Sequence, residues 1–161
     1  MALIAGFDIG TTSAWVALDE DSGEVVAHYE FEFVRQGQTW EDAQTAFEGA
    51  RTLRRAADKA GTVVIAVLFE AEFIGRNPRG SLAIARRRGH IEVATMAVLG
   101  EVASDARNAM NLRGALGLPR EKQAAHALLV KRYPETKPLT EHERDAWVAA
   151  RVLFEEGLVR S

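Results

Sequence analysis

The run TVVIAVLF at residues 62–69 is the feature that most restricts the fold of this chain. Both faces of such a run are apolar, which is typical of a fully buried strand. A helical pattern that ends at Gly61 precedes it, and a loop pattern rich in Gly, Asn and Pro follows at 75–80. The sequence therefore predicts a sheet that contains this strand, with Glu70 directly after it.

Four further strand patterns and five helical patterns complete the chain. The strand patterns cover residues 2–8, 13–19, 24–34 and, as a short strand, 101–106. The helical patterns cover residues 40–60, 81–98, 107–115, 120–132 and 140–157. In the third strand Tyr29, Phe31 and Phe33 face one way, while Glu30 and Glu32 face the other. Tight turns between the first three strands predict an antiparallel meander, and the order β-β-β-α-β-α followed by more helices predicts an α/β fold with a mixed sheet flanked by helices.

The composition excludes several classes of protein. A chain of 161 residues with 47% apolar residues predicts a single domain over 1–161 with its own core. The absence of cysteine excludes a disulfide framework, a thiolate zinc site and a cysteine nucleophile. We see no signal-peptide pattern and no apolar run of membrane-spanning length, so we expect a cytoplasmic protein with no membrane contact.

The charges are unevenly distributed. Residues 1–74 carry a net charge of −8, whereas residues 75–125 carry a net charge of +5. This asymmetry predicts a polyanion contact beside an acidic site. A surface helix that is rich in arginine without binding a polyanion explains the same pattern, and charge alone leaves both interpretations open.

Three carboxylates and one histidine are the candidate site. Asp8 ends the first strand, and Glu70 follows the buried strand, so both emerge at one sheet edge if these strands are neighbours. Asp145 lies on the last helix among small alanines that permit close approach to the sheet, and His142 shares its helix face. Buried acids need a partner or a metal, and carboxylates suit Mg²⁺ or Mn²⁺.

Two such ions roughly 3.5–4 Å apart are a known arrangement for phosphoryl chemistry. One would activate a water for in-line attack on phosphorus, and the other would stabilise the leaving 3′ oxygen. Each acid alone is more often a turn or cap residue. Thr140 and Glu143 also have capping-box spacing, so acids of the last helix partly serve its N-terminus. Only the joint placement favours a metal site.

Five further segments follow one another along the chain: GFDIGTT at 6–12, FEAEF at 69–73, SLAIARRRGHIEVA at 81–94, EKQAAHALLV at 121–130 and HERDAWVAARVL at 142–153. In this order they resemble the RuvC family of Holliday-junction resolvases. The resemblance spans nearly the whole chain. It implies an RNase H-like fold, a homodimer, and cleavage of four-way DNA junctions with Mg²⁺ or Mn²⁺, two ions per active site. Branch-migration machinery is a further expected partner.

The resemblance also assigns roles to residues of this chain. Asp8, Glu70 and Asp145 match the metal-binding acids, and His142 stands where many members have a further aspartate and some have histidine. Lys122 matches a lysine near the active site that contacts the phosphate or steadies transition-state charge.

The DNA contacts implied by the resemblance are mostly arginines. Phe73 matches an aromatic that stacks on a base near the junction centre. A second family lysine corresponds here to Asn111, and Arg107 and Arg113 are near enough to replace it, with a different geometry. The predicted phosphate contacts are Arg76, Arg79, Arg86, Arg87 and Arg88. The helix at 81–98 corresponds to the family's dimer helix, so we expect Leu82, Ile91 and Met96 to pack across a twofold axis.

Two alternative functions remain open at this point. FDIGTTSAWVALDEDSGEVV also resembles the first phosphate loop of sugar kinases and actin-like ATPases, which share the RNase H-like core. Those proteins need two such domains, and the kinase interpretation leaves Glu70 and the arginines of 81–98 unexplained. The other alternative is a non-catalytic DNA-junction binder, although a binder has no need for three acids that repel phosphate.

Overall fold

A computed structural model describes residues 1–34, 38–71 and 78–157, and of residues 78–81 it describes the backbone only. Five strands and five α-helices are present in these ranges. The strands are β1 (Leu3–Asp8), β2 (Thr12–Asp19), β3 (Val25–Glu32), β4 (Val64–Ala71) and β5 (Ala103–Asn108). The helices are α1 (Thr39–Lys59), α2 (Pro78–Leu99), α3 (Ala109–Ala115), α4 (Lys122–Arg132) and α5 (Glu141–Glu156). A short 3-10 turn at Pro134–Thr136 precedes α5.

The strands form one mixed sheet in the order β3-β2-β1-β4-β5. β1, β2 and β3 pair antiparallel, which confirms the predicted meander. β4 pairs parallel with β1 on one side and with β5 on the other. The neighbouring β1 and β4 align Phe7 with Phe69, so the next residues, Asp8 and Glu70, lie side by side. The two strands are neighbours, which is the condition under which the sequence places these two acids together.

The two faces of the sheet have separate cores. On one face Leu3, Ala5 and Phe7 pack in a cluster with residues of α1 and α2. On the other face Ile4 packs in a cluster with residues of α3, α4 and α5. Because side chains alternate along a strand, the even-numbered positions of β1 continue from Ile4 through Gly6 to Asp8. Asp8 therefore points to the face that carries α5.

α5 crosses this face at unusually short distance from β1. A Cβ atom placed on Gly6 would lie 2.1 Å from the carbonyl oxygen of Ala146 and 2.9 Å from Cβ of Ala149. Only glycine fits here, since real Cβ atoms do not approach other atoms so closely. The small alanine face of α5 thus packs on the sheet as the sequence predicted, and it brings the start of α5 to the end of β1.

Several element boundaries differ from the sequence-based expectations. β4 continues to Ala71, so Glu70 lies inside the strand instead of after it. α2 begins at Pro78, because proline is well suited to the first position of a helix. Of the three aromatics predicted to share one face, Phe31 of β3 and Phe33 just beyond it are buried, whereas Tyr29 is 38% exposed. Within the described ranges, no helix has the length and apolar character that crossing a membrane requires.

Candidate active site

Three carboxylates converge where β1, β4 and α5 meet. One oxygen atom from each of Asp8, Glu70 and Asp145 lies within 4.8 Å of those of the other two. Asp8 and Glu70 come from the neighbouring strands, and Asp145 comes from the first turns of α5. Asp8 and Asp145 are buried, and Glu70 is half-buried. The structure therefore brings together the three acids that the sequence singled out.

The start of α5 is held by a capping box. Thr140 accepts a hydrogen bond from the backbone N–H of Glu143, and the Glu143 carboxylate accepts one from the backbone N–H of Thr140. His28 of β3 adds a contact of 2.6 Å to the same carboxylate. These contacts fix the helix turn that carries His142, whose Nδ1 lies 2.8 Å from Oδ2 of Asp8. The structure thus places His142 beside Asp8.

Asp145 is surrounded by cationic and hydrogen-bonding side chains. The Nζ atom of Lys122 lies 2.7 Å from Oδ2 of Asp145 and 2.8 Å from Oε1 of Glu141. Nε2 of His126 lies 2.8 Å from Oδ1 of Asp145. The guanidinium of Arg113 lies 3.7 Å from the same Oδ1. Lys122 and Arg113 were candidates from the sequence, whereas His126 was missed.

A signal for His126 is nonetheless present in the sequence. His126 follows Lys122 by four residues on one helix, so the two side chains share a face of α4. Once Lys122 is a candidate, its i+4 neighbour is one too. The signal is weak, because the same spacing is found on any helix.

The surroundings of the three acids shift their pKa values in different directions. Burial raises the pKa of Glu70 to about 8, and the charges of Asp8 and Asp145 add to this. Burial also raises the pKa of Asp8, although the hydrogen bond with His142 opposes it. For Asp145 burial acts in the same direction, but the hydrogen bonds from His126 and Lys122 outweigh it and lower the pKa. Without a bound cation, these shifts favour an ionised Asp145 and a protonated Glu70 at neutral pH.

The pKa values of the neighbouring cationic side chains, His142 and Lys122, are raised. The hydrogen bond to Asp8 raises the pKa of His142, against the effect of burial. Burial disfavours the charged ammonium of Lys122, but its hydrogen bonds to Asp145 and Glu141 outweigh this and raise its pKa. Positive side chains and retained protons thus neutralise three crowded acids, and a divalent cation would do the same.

The donor set fits Mg²⁺ or Mn²⁺. Carboxylate oxygens are the ligands that both ions prefer, and imidazole is compatible with Mn²⁺. Asp8 and Glu70 have raised pKa values because burial and their crowding disfavour their charged forms, and a bound cation would relieve the repulsion within the cluster. Asp8, Glu70 and Asp145 are the residues that would hold the ion or ions, with His142 beside them.

The candidate DNA-binding arginines lie in different environments. Arg86 and Arg87 of α2 both approach the buried Asp42 of α1, at 2.6 and 3.9 Å. Arg87 also donates to Oγ1 of Thr11 and stacks on the ring of Phe33. Its side chain is only 7% exposed, so it is committed to the packing of α1 and α2. A phosphate contact by Arg87 would require it to leave these partners, whereas Arg86 is 41% exposed.

Arg88, Arg107 and Asn111 lie outside the cluster of acids. Arg88 pairs with Glu92 one turn along α2. Arg107 pairs with Asp105 and Glu156. Asn111 is exposed and lines an open groove of about 740 Å³ with Arg107 and Arg120. Phe73 and Arg76 lie outside the described residues, as does the side chain of Arg79. Their DNA contacts stay predictions.

The predicted dimer residues of α2 do not share one environment. Ile91 is buried in the core that α2 forms with α1 and the sheet, and Met96 is partly buried against that core. The expectation that Ile91 packs across a twofold axis is wrong, because its side chain is already covered within its own chain. Leu82 is 72% exposed, and Val93, three turns later on the same helix face, is 65% exposed.

The comparisons with known proteins bear on the fold. A scan against protein-family models and a search of curated proteins found no match. Among solved structures, the chain is similar to Thermus thermophilus RuvC in complex with a Holliday junction substrate, with a TM-score of 0.76 and 16% identity over 98% of this chain and 97% of that chain.

Two further solved structures agree with this similarity. A second Thermus thermophilus RuvC structure matches with a TM-score of 0.72 and 20% identity over 96% of this chain and 95% of that chain. The yeast mitochondrial Holliday junction resolvase Ydc2 matches with a TM-score of 0.62 and 10% identity over 95% of this chain and 78% of that chain. Over nearly its whole length, the chain has the RNase H-like α/β fold of RuvC.

Proposed function

We propose that this chain is a divalent-metal-dependent endonuclease that resolves four-way DNA junctions and acts on other branched DNA. One observation carries the proposal: Asp8, Glu70 and Asp145 converge within 4.8 Å at one edge of the sheet. The fold shared with RuvC and Ydc2 supports the same function, because the solved structures include a RuvC complex with a Holliday junction substrate. We take residues 1–161 as one nuclease domain.

The residues of the cluster would have two roles, metal binding and phosphate binding. Asp8, Glu70 and Asp145 would hold two Mg²⁺ or Mn²⁺ ions, with His142 as a fourth ligand. Ions bound there supply water activation and stabilise the leaving 3′ oxygen, so that products carry a 5′ phosphate and a 3′ hydroxyl. Lys122 lies at the mouth of the cluster with its side chain 36% exposed. Its ammonium would bind the scissile phosphate and offset the charge that develops there.

Arg113 would take the role of the second family lysine, whose position is occupied by Asn111 in this chain. Its guanidinium lies 3.7 Å from Asp145, and its side chain is 12% exposed. A hydrogen bond to the backbone carbonyl of Arg120 holds it in place. Arg113 therefore brings a fixed positive charge to the position where a phosphate would approach, while Arg86, Arg107 and Asn111 would contact the DNA further out. Phe73 would stack on a base.

A homodimer would place two such sites on one junction. The four-way junction has twofold symmetry, so two symmetry-related subunits would cut strands of like polarity. The exposed Leu82 and Val93 on α2 are the apolar side chains that such a dimer would cover. Branch-migration machinery would then act on the same junction.

A cleavage assay tests the proposal. A labelled four-way junction, a fork and a linear duplex are incubated with the protein and Mg²⁺, Mn²⁺ or EDTA. Glu70→Gln removes one acid of the cluster, and Glu101→Gln, an exposed acid outside the cluster, is the matched control. We expect paired, metal-dependent nicks in the junction, which Glu101→Gln retains and Glu70→Gln loses.

Other outcomes would point to the alternatives. Junction binding without any cleavage by folded protein, with either metal, would contradict the nuclease and favour a non-catalytic binder. Neither binding nor cleavage, together with thermal stabilisation by ATP, would favour nucleotide binding at the loop after β1. In that loop the backbone groups of Gly10 are already hydrogen-bonded, since Ser13 Oγ accepts from the Gly10 N–H and donates to its carbonyl oxygen.

A further inference from the structure

We infer that His126 is the residue that orients Asp145 for metal binding, and that it stays on Oδ1 of Asp145 when Lys122 leaves Oδ2. This inference rests on the proposed metal site. The two carboxylate oxygens of Asp145 have different partners in the metal-free chain. Oδ1 contacts Nε2 of His126 at 2.8 Å, and Oδ2 contacts Nζ of Lys122 at 2.7 Å.

The direction of the His126 contact follows from the chemistry of its partner. A carboxylate that binds a metal ion is ionised, so Oδ1 of Asp145 can only accept a hydrogen bond. Nε2 of His126 therefore carries a proton and donates it. A histidine that donates to a metal-binding carboxylate restricts the rotation of that carboxylate, as partners of metal ligands commonly do.

His126 lies on a helix that is capped at its N-terminus and held by buried side chains. α4 begins at Lys122, where Glu121 caps the helix by accepting hydrogen bonds from the backbone N–H groups of Gln123 and Ala124. Ala125 and Leu129, on either side of His126 in sequence, are buried in the core beneath α4 and α5. The His126 side chain is only 12% exposed. Its contact with Asp145 thus joins α4 to α5, and buried side chains of both helices belong to the same core.

The Lys122 contact is exchangeable by comparison. The lysine side chain is 36% exposed, and it has a second acceptor in Glu141, 2.8 Å from Nζ. Glu141 is itself 61% exposed, so the ammonium can remain paired with it after leaving Asp145. An incoming cation would therefore replace Lys122 at Oδ2, while His126 keeps Oδ1. The histidine acts as a positioning residue, and the lysine is left free to meet the phosphate.

The experiment measures Mn²⁺ affinity of the DNA-free protein by calorimetry, with thermal unfolding in EDTA as a check on folding. His126→Leu removes the donor. His126→Gln keeps a donor, because the glutamine amide nitrogen lies at nearly the same reach as Nε2. His90→Leu is the matched control, since His90 lies on α2, on the opposite face of the sheet.

We expect His126→Leu to weaken Mn²⁺ binding about 10–100-fold, whereas His126→Gln and His90→Leu stay within about threefold of the unchanged protein. Unchanged affinity in His126→Leu would overturn the inference. Equal loss in His126→Gln and His126→Leu, with both folded, would also overturn it, because the imidazole ring and not its donor would then be required. If His126→Leu fails to fold, the Gln variant decides alone: affinity reduced tenfold or more overturns the inference, and retained affinity supports it.

The same titration separates this inference from the proposed function. No Mn²⁺ binding by the unchanged chain would contradict the metal site itself, and the inference with it. Mn²⁺ binding that His126→Leu does not alter would contradict the role of His126 alone.

Discussion

Nδ1 of His142 lies 2.8 Å from Oδ2 of Asp8, although 134 residues separate them in the chain. The contact joins the first turn of α5 to the end of β1. It raises the pKa of His142, and it partly offsets the effect of burial on Asp8. The two residues therefore form a charge-assisted pair at the site. Their contact, and with it the site, depends on how closely α5 packs on the sheet.

Gly6→Ala tests that packing. The new methyl group would meet the backbone of α5 at about 2 Å, so α5 must move away from β1. We expect a loss of about 3 kcal/mol of unfolding free energy and weaker Mn²⁺ binding, because Asp145 and His142 move with the helix. Denaturant unfolding and calorimetry measure the two effects.

Gly89→Ala is the control for this substitution. Gly89 lies within α2 with open space around its Cβ position, so alanine should stabilise the helix by about 0.5–1 kcal/mol. Equal stability of Gly6→Ala and the unchanged chain would show that α5 does not need this close approach.

Glu70→Gln should stabilise the metal-free protein at high pH while it abolishes cleavage. Between the ordinary pKa of 4.5 and about 8, folded Glu70 holds a proton that the unfolded chain has released. Stability from this group therefore falls as pH rises through that window and levels off above it. Glutamine removes the effect, so we expect the Tm of Glu70→Gln to exceed that of the unchanged chain by roughly 10 °C at pH 9.

The difference in Tm should shrink towards pH 5, because Glu70 begins to bind the proton in the unfolded chain as well when the pH approaches its ordinary pKa of 4.5. Thermal unfolding in EDTA across this pH range measures it. A constant difference at every pH would show that burial does not keep Glu70 protonated.

Metal affinity should rise with pH. An ion bound at the cluster must displace the proton of Glu70, whose pKa is about 8. Displacement of the Glu70 proton alone strengthens binding about tenfold for each pH unit between about 6 and 8, and this slope disappears above that range. Release of a proton from His142, whose pKa is also raised, would steepen the rise. Calorimetry in buffers of different ionisation enthalpy counts the proton directly. A flat affinity with no proton release would mean that the ion does not bind Glu70.

Lys122→Met should separate metal binding from catalysis. Without Nζ at 2.7 Å, Oδ2 of Asp145 is available and one positive charge is lost. We therefore expect Mn²⁺ to bind at least as tightly, while junction cleavage slows by about 100-fold because the phosphate loses a charged donor. Lys131→Met, an exposed lysine in the last turn of α4, is the control. Weaker Mn²⁺ binding in Lys122→Met would show that the lysine supports the metal site.

Paired substitution of Leu82 and Val93 by glutamate should convert the proposed dimer to a monomer. Both side chains are exposed on one face of α2, and two charges there would have to be buried in a twofold contact. Light scattering after gel filtration measures the mass. Val63→Glu, at a similarly exposed valine before β4, should leave the mass unchanged. A dimer that survives the paired substitution would place the interface elsewhere.

Much of the candidate site could be predicted from local patterns. Asp8 and Glu70 fall at the ends of apolar strand patterns, and Asp145 lies on a helix with a small-residue face. Ile91 shows where this reasoning fails, because an apolar helix position looks the same whether its own core or a second subunit covers it. The prediction for Arg87 fails for a similar reason. A run of arginines indicates an exposed face, but Arg87 is buried beside Asp42, which is remote in sequence.

By itself, the sequence determined the strand and helix periodicities, and therefore which side chains share a face. Alternation along β1 puts Asp8 on the side of Ile4, and helical spacing puts Asp145 beside His142 and His126 beside Lys122. The tertiary structure alone decided which faces meet. The parallel pairing of β1 with β4 and the close contact of α5 at Gly6 set the distances among the three acids. The contacts of Lys122 and His126 of α4 with Asp145 set the partners of that carboxylate. Such distances depend on the packing of segments remote in sequence, which no local pattern encodes.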